Sequence, residues 1–458
     1  MPNKILVANR GEIAVRIIRA AKELGIPVVA VHSTADRNAL HVKLADEAVC
    51  IGSEQSKDSY LNINNVLSAA IATGCNAIHP GYGFLSENTR FAEMVESCNI
   101  AFIGPPSKVI AMVGDKVAAR RIAAENGVPV VEGSEGVIDD VEAGLKVARR
   151  IGYPVMIKAA GGGGGRGIAV VNDDESFARA FARTSLEAES SFGDKSLYVE
   201  KFLDRPRHIE VQILADKFGN VVHLGERDCS IQRRNQKLIE ESPGANISDL
   251  LRKKLGATAV RLAKAVGYVS AGTMEFLVDA GGDFHFIEMN ARIQVEHPVT
   301  EWVTGIDIVR EQIRIAYGNE LPFRQTDVKT FGHAIECRVC AEDPMENFRP
   351  TPGVITSVIL PGGPGVRVDT HIFAGYEIPP YYDSLLAKLV VHAPTRKDAI
   401  RKMRTALEQF VIDGVRNNIE YLYLIMHDPE FVKGQIDTGF IPRFAATIGG
   451  ERYARFAE

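Results

Sequence analysis

The chain has 458 residues, and 53 Lys+Arg against 58 Asp+Glu leave a formal charge of -5; at about 150 residues per domain this length predicts about three domains. So mild an acidic balance argues against wholesale nucleic-acid binding, and no apolar run approaches the roughly 18 residues a membrane helix needs. Six cysteines, too few and too scattered for a disulfide framework, and an N-terminus without a signal-peptide layout predict a reducing, cytoplasmic setting.

Residues 4 to about 113 alternate short β-branched runs with helical patterns, which predicts an open, mostly parallel α/β sheet. Lys4 to Ala8 reads as the first strand. Ile13, Ile17, Ala20, Ala21 and Leu24 then recur at helical spacing, Gly25 stops the helix, and Val28 to Val31 is the next strand. The pattern continues with a helix over Leu61 to Thr73, a strand over Ala77 to His79, a helix over Asn88 to Ser97 and a strand over Ala101 to Ile103. This is Rossmann-like, but the first strand-helix turn, Asn9-Arg10-Gly11-Glu12-Ile13-Ala14, has a single glycine where a dinucleotide fingerprint needs more, which argues against dinucleotide binding. After Gly104-Pro105-Pro106 come helices around Lys116 to Glu125 and Val141 to Arg150. Strand pairs follow, marked by Gly161 to Gly167, Lys217 to Asn220 and Gly281-Gly282, so antiparallel pairing is predicted there. Leu321 to Asp327 reads as a linker. From Phe331 short strands are punctuated by prolines, and helical patterns near 396–410 and 417–427 close the chain.

Within the second region, Tyr153 to Ala159 and Ile168 to Val171 read as strands flanking Gly161 to Gly165, Arg166 and Gly167. Consecutive glycines let backbone N–H groups turn toward an anion without Cβ interference, and Lys158 and Arg166 add positive charge. These residues suit a phosphate-covering flap; the alternative is a flexible hairpin tip. A Walker A loop is ruled out, since no Gly-Lys-Ser/Thr occurs and a strand rather than a helix follows. Lys116, opening a helix after Gly114-Asp115, is by itself an ordinary surface lysine.

Thr273 to Val278 and Phe284 to Asn290 are two strand-like runs around Gly281-Gly282. A two-residue hairpin loop at these glycines places Glu275 opposite Glu288, with Asn290 on the face of Glu288. Directly opposed acids repel, so a cation between them is expected, and an all-oxygen set suits Mg²⁺ or Mn²⁺; the alternative is two exposed acids on a strand edge. Downstream, extended alternation through Arg292-Ile293-Gln294-Val295-Glu296 puts Arg292, Gln294 and Glu296 on one face, a cluster able to hold a small anion and deprotonate it. The alternative is a surface ion pair.

Taken together, several segments resemble one family. They are Ile5 to Ala14, His79-Pro80-Gly81-Tyr82-Gly83-Phe84-Leu85-Ser86-Glu87-Asn88, the glycine run, Glu226-Arg227-Asp228-Cys229-Ser230-Ile231-Gln232-Arg233-Arg234, Ile287 to Pro298, and Gly332-His333-Ala334-Ile335-Glu336-Cys337-Arg338. In order, from about residue 4 to about 445, they resemble biotin carboxylase. The resemblance implies an α/β and α+β protein with an N-terminal Rossmann-like pre-ATP-grasp domain over 1–113, an ATP-grasp domain over 114–330 with a mobile lid at about 131–203, and a C-terminal biotin carboxylase domain over 331–458. It implies an ATP-dependent ligase that carboxylates biotin from bicarbonate through carboxyphosphate, with Mg²⁺ or Mn²⁺ and with biotin as carrier-bound substrate. The alternative is another ATP-grasp ligase forming an acyl-phosphate; Lys237, the Arg292 to Glu296 cluster and Arg338 discriminate between the two.

By position, the resemblance assigns ATP to Lys116, Lys158, Gly164, Gly165, Glu200, Lys201, Phe202, Leu203, His208, Gln232, Asn235, Glu275 and Glu288. It assigns metal to Glu275, Glu288 and Asn290, bicarbonate to Lys237, Arg292, Gln294, Val295 and Glu296, and biotin to Tyr82 and Arg338. Glu296, Arg292, Arg338 and Lys237 become the catalytic set, with Glu296 as base. One departure is Asn235, where several members have His; a neutral amide replaces a chargeable ring. The chain carries no Met-Lys-Met biotinylation segment near its end, so a biotin carboxyl carrier protein and carboxyltransferase are expected on separate chains. A homodimer is expected too, with Arg19 and Glu23 matching interface positions; no nucleic-acid or membrane partner is expected. Cys337-Arg338-Val339-Cys340 reads as strand rather than zinc or redox motif, with Ile335, Cys337 and Val339 on the buried face and Glu336 and Arg338 on the other. Cys229 reads as a small packed hydrophobe, Arg233-Arg234 as an active-site or structural pair rather than a nucleic-acid patch, and Trp302 as core.

Overall fold

The computed structural model describes residues 4–138, 140–160 and 167–448. Five short strands, β1 (Ile5–Val7), β2 (Val28–His32), β3 (Glu47–Cys50), β4 (Ala77–His79) and β5 (Ala101–Phe102), form a parallel sheet in the order β3-β2-β1-β4-β5. β1, β2 and β4 are buried throughout, as strands covered on both faces must be. Helix Gly11–Glu23 lays Ile13, Ile17, Ala20 and Ala21 against them. β3 has no strong apolar run and was invisible to sequence periodicity. Strand order reverses between β1 and β4, the place where open α/β sheets leave a crevice. Asn9 Nδ2 spans it, donating to the carbonyls of Pro80 and Tyr82 at 2.7 Å each. Gly81, at φ +64°, passes so close that a Cβ would meet Asn9 Nδ2 at 2.9 Å and Ile13 at 3.1 Å.

A three-stranded antiparallel sheet, β7-β6-β8, contains β6 (Val155–Ala159), β7 (Ile168–Val171) and β8 (Leu197–Lys201). The predicted strands on either side of the glycine run therefore pair, with Lys158 opposite Ile168. The run itself, including Gly164 and Gly165, lies outside the described residues. Helices Val141–Ile151 and Asp174–Phe192 close over this sheet.

The largest sheet has eight strands. β9 (Arg207–Ala215), β10 (Val221–Arg233), β11 (Gln236–Ser242), β12 (Ser270–Val278), β13 (Phe284–Asn290) and β14 (His333–Cys340) are joined by strands Leu385–Ala393 and Val366–Thr370 in the order β13-β12-β9-β10-β11-β14-(385–393)-(366–370). Every pairing is antiparallel, and β11 pairs with β14, so the sheet runs unbroken across residue 330. Leu321 to Asp327 is packed rather than a free linker: Leu321 N donates to Asp216 (2.9 Å) and Gln325 bonds the backbone of His223. Helices Arg396–Gln409 and Ile419–His427 appear where predicted. No helix among the described residues is long and apolar enough to cross a membrane.

The β12–β13 turn corrects the expected hairpin. Asp279 pairs with Asp283 (N···O 2.9 Å), and its carboxylate accepts from the N–H groups of Gly281 (2.9 Å) and Asp283 (3.0 Å), so the loop is Ala280-Gly281-Gly282 rather than two glycines. That places Phe276 opposite Phe286; a bulge at Ile287 then returns Glu275 to Glu288. The expected pair forms, by compensation of loop and bulge.

Candidate active site

A row of charge crosses the eight-stranded sheet. Arg227 on β10 is opposite Glu210 on β9, Glu210 is opposite Glu275 on β12, and Glu275 is opposite Glu288 on β13. Adjacent acids in line repel one another unless cations come between them. Fully buried Arg227 donates to Glu210 (2.6 Å), Gln212 (2.7 Å), Thr300 (3.0 Å) and Thr273 (3.1 Å). Lys237 arrives from β11, its Nζ 2.6 Å from Glu210, 3.1 Å from Glu275 and 2.6 Å from Glu296. His208 Nε2 lies 2.9 Å from Glu275, and Lys116 Nζ 3.0 Å from Glu288. Burial opposes the Lys237 charge, yet its three carboxylate neighbours raise the ammonium well above its ordinary value. Burial likewise works against Glu275, but Lys237 and His208 hold its carboxyl well below the usual range.

Glu296 was expected on an extended face with Arg292 and Gln294. Instead, at φ -81° and ψ 11°, it turns the chain into helix His297–Thr304, whose Pro298 lies in the first turn. The turn buries Glu296 completely and splits its oxygens between two cations: Oε1 on Lys237, and Oε2 on Arg338 at 2.9 Å. Burial alone would raise this carboxyl; Lys237, Arg338 and Arg227 hold it far below the ordinary range. Arg338 also donates to Glu240 at 2.6 Å. Arg292 donates to Gln294 (2.8 Å), Asn290 (2.9 Å) and Glu87 (2.8 Å), and Gln294 donates on to Glu275 (3.2 Å). The Val295 carbonyl accepts from Lys388 (3.0 Å), whose Nζ also lies 3.0 Å from Glu12, the acceptor of the Tyr82 hydroxyl.

At the other end, Lys158 and Arg120 both pair with Glu200. Lys201 turns away, giving its ammonium to the carbonyls of Gly152 (2.9 Å) and Tyr153 (3.1 Å). Arg234 (φ 48°) and Asn235 (φ 64°) form the two-residue left-handed turn between β10 and β11, a conformation Asn tolerates and most residues do not. Every described residue singled out in the sequence as a site residue lines one cavity of about 1440 Å³. Glu275, Glu288 and Asn290 line it together, and two carboxylates with an amide make the all-oxygen kind of donor set that a magnesium or manganese ion takes.

Sequence reasoning missed Glu210, Glu87, Arg227, Glu240 and the Glu12–Lys388 pair. For Glu210 a signal existed: His208, Glu210 and Gln212 alternate with Ile209, Val211 and Ile213, a polar face on a strand otherwise apolar. Lys388 and Glu12 are hundreds of residues apart, and no local pattern joins them. Other readings agree with the structure. Cys229 is buried, and Ile335, Cys337 and Val339 join one core; by contrast Trp302, expected in the core, is only half-buried, stacking on His392 at 5.5 Å, and Glu336 is as buried as its apolar neighbours.

Three family models match the chain. Residues 1–110 match the family model described as biotin carboxylase, N-terminal domain, residues 115–324 that of carbamoyl-phosphate synthase L chain, ATP binding domain, and residues 336–443 that of biotin carboxylase C-terminal domain. A biotin carboxylase from Nostoc sp. is 55% identical over 439 residues, 96% of this chain and 98% of that protein. A Campylobacter jejuni biotin carboxylase structure, described as a β-γ-ATP complex, is 48% identical with a TM-score of 0.95, covering 97% of this chain and 99% of that one. The biotin carboxylase domain dimer of Hydrogenobacter thermophilus 2-oxoglutarate carboxylase, in complex with MgADP, ADP and bicarbonate, is 50% identical with a TM-score of 0.95, covering 97% and 98%.

Proposed function

Because the chain belongs to the biotin carboxylase family, we propose that the cavity carboxylates biotin with the residues met there. The chain is an ATP-dependent ligase using ATP, bicarbonate and biotin. The observation that carries the residue assignment is Glu296, buried between Lys237 and Arg338. Bicarbonate enters beside Lys237, Arg292, Gln294 and the Val295 backbone. Glu296, kept ionised, takes its proton as the bicarbonate oxygen attacks the γ-phosphate of ATP, giving carboxyphosphate and ADP. Lys116, Lys158 and His208 offset the phosphate charge, and Glu200, Phe202, Leu203, Gln232 and Asn235 border the nucleotide. Glu275, Glu288 and Asn290 would hold a divalent metal ion, which would supply charge neutralisation at the phosphates. Carboxyphosphate breaks down to CO₂ and phosphate, the phosphate accepts the biotin N1 proton, and N1 attacks CO₂. Arg338, released from Glu296, stabilises the ureido oxyanion, with Tyr82 beside the ring. Arg338 and Glu296 favour this reading over another ATP-grasp ligase, since an acyl-phosphate on any other acid needs neither.

We place the biotin on a carrier protein on a separate chain, with carboxyltransferase on another, and the protein in the cytoplasm, where its six free cysteines stay reduced. A homodimer would use the exposed Arg19 and Glu23 of helix Gly11–Glu23. Domains of 1–113, 114–330 and 331–458 are the division this mechanism uses. Purified protein is expected to release ADP only with bicarbonate and faster with free biotin, and Arg338→Ala to lose biotin carboxylation while still binding ATP. Bicarbonate-independent turnover unaffected by biotin, or undiminished carboxylation by the variant, refutes the reading.

A further inference from the structure

Glu336 is fully buried, and neither of its carboxyl oxygens has a hydrogen-bond partner among the described residues. Its position on β14 is directly opposite Glu240 on β11. Glu240 is fully buried too; one oxygen accepts from Arg338 and the other has no partner among the described residues. Strand alternation places Glu336 on the same face as Arg338, and its other cross-strand neighbour is the apolar Val390. The charged and titratable groups facing the pair are Arg338, Lys388, Glu296 and Lys237, with the buried thiols of Cys229 and Cys337. All three cations are already engaged. Arg338 is shared between Glu240 and Glu296, Lys388 between Glu12 and the Val295 carbonyl, and Lys237 among Glu210, Glu275 and Glu296. Among the described residues, no cation remains for a second charge. Two ionised carboxylates directly opposed in a dry interior repel strongly, and the usual resolution is one proton held between them.

Resting on the reading of Arg338 as the guanidinium of the biotin site, we propose that Glu240 and Glu336 hold one proton between them and that this singly charged pair positions Arg338. With one negative charge behind it, the guanidinium keeps a terminal nitrogen forward on Glu296, ready to pass to the ureido oxygen. Loss of that proton would add a charge behind Arg338 and draw it back from the cavity. Glu240 and Glu336 are therefore positioning residues; neither is placed to touch substrate. The electrostatics agree: burial first, then the charge of Glu240, raise Glu336 well above the ordinary carboxyl value, while burial raises Glu240 to about 7 against the pull of Arg338.

Infrared spectroscopy of the intact protein reads the proton without relying on activity. At about pH 8, where an ordinary carboxyl is fully ionised, the wild-type minus Glu336→Gln difference spectrum is expected to show the C=O stretch of a protonated, dry carboxylic acid. Absence of that band overturns the proposal, and does so whether or not the protein carboxylates biotin. Activity adds a second arm. The alkaline fall in biotin-dependent kcat/KM is expected to move up by roughly one pH unit in Glu336→Gln, which cannot ionise, with the KM for ATP unmoved. An alkaline limb identical in the two proteins also overturns it. Should the variant not fold, titration of the wild-type acid band decides: a band already lost at about pH 6, close to ordinary carboxyl behaviour, refutes the pairing.

Discussion

Lys237 shows how much of the site's electrostatics one residue carries. Its ammonium meets three carboxylates, and each of them is buried. Remove it and Glu210, Glu275 and Glu296 confront each other with Arg227, Arg338 and His208 as the remaining local cations. Lys237→Met is therefore expected to lower kcat by about a hundredfold or more, the scale of losing one preorganised charged donor. The sign of its pH effect follows from the same geometry. Glu296 is held below its ordinary pKa by Lys237 first among the charges, so losing that cation raises it. The acid limb of the residual activity moves to higher pH, and a pH–rate profile checks it; an unmoved limb would show that Glu296 is not the base. From sequence, Lys237 was legible only through resemblance, because a lysine beside Gln236 has no local pattern of its own. Glu275 and Glu288 were legible as acids on two runs joined by glycines, but their opposition rests on a three-residue loop offset by a bulge at Ile287.

Among the elements, the β10–β11 turn holds two consecutive left-handed residues. Arg234 and Asn235 both sit at positive φ. A β-branched residue at Asn235 would adopt this conformation at a cost of about 1–3 kcal/mol, whereas glycine adopts it freely. Asn235→Val is expected to lower stability by that amount, and Asn235→Gly to leave it nearly unchanged, measured by chemical denaturation. Equal stability of the two variants would refute the turn account. If Asn235→Gly also keeps its affinity for ATP, the asparagine serves the turn rather than the nucleotide. The β12–β13 hairpin teaches the complementary point. Its pairing could be reached from the sequence, but its geometry could not, because the Asp279 carboxylate and the bulge at Ile287 are decided by hydrogen bonds that no periodicity encodes.

At the scale of the whole molecule, the eight-stranded sheet joins the segments before and after residue 330, and side chains reinforce the seam. Glu241 on β11 bonds His333 at 2.8 Å and Arg396 at 2.7 Å, and Lys388 reaches back to Glu12. A defect in the C-terminal core should therefore unfold the cavity with it. Leu389 is fully buried, and Leu389→Ala is expected to cost about 2–5 kcal/mol. One thermal transition, followed both by intrinsic fluorescence and by loss of ATP binding, should shift down as a unit; two transitions with one unmoved would refute this coupling. The sequence by itself determined the parallel N-terminal sheet, the antiparallel character of the centre and the strands around the glycine run, because these follow from periodicity and from glycine, which act over a few residues. The tertiary structure alone decided that Glu210 completes the row, that Glu296 is buried by a helix turn, and that Glu240 and Glu336 meet behind Arg338. Those outcomes depend on register between strands far apart in the chain. Register is set by the packing of the whole sheet, and no single segment contains it.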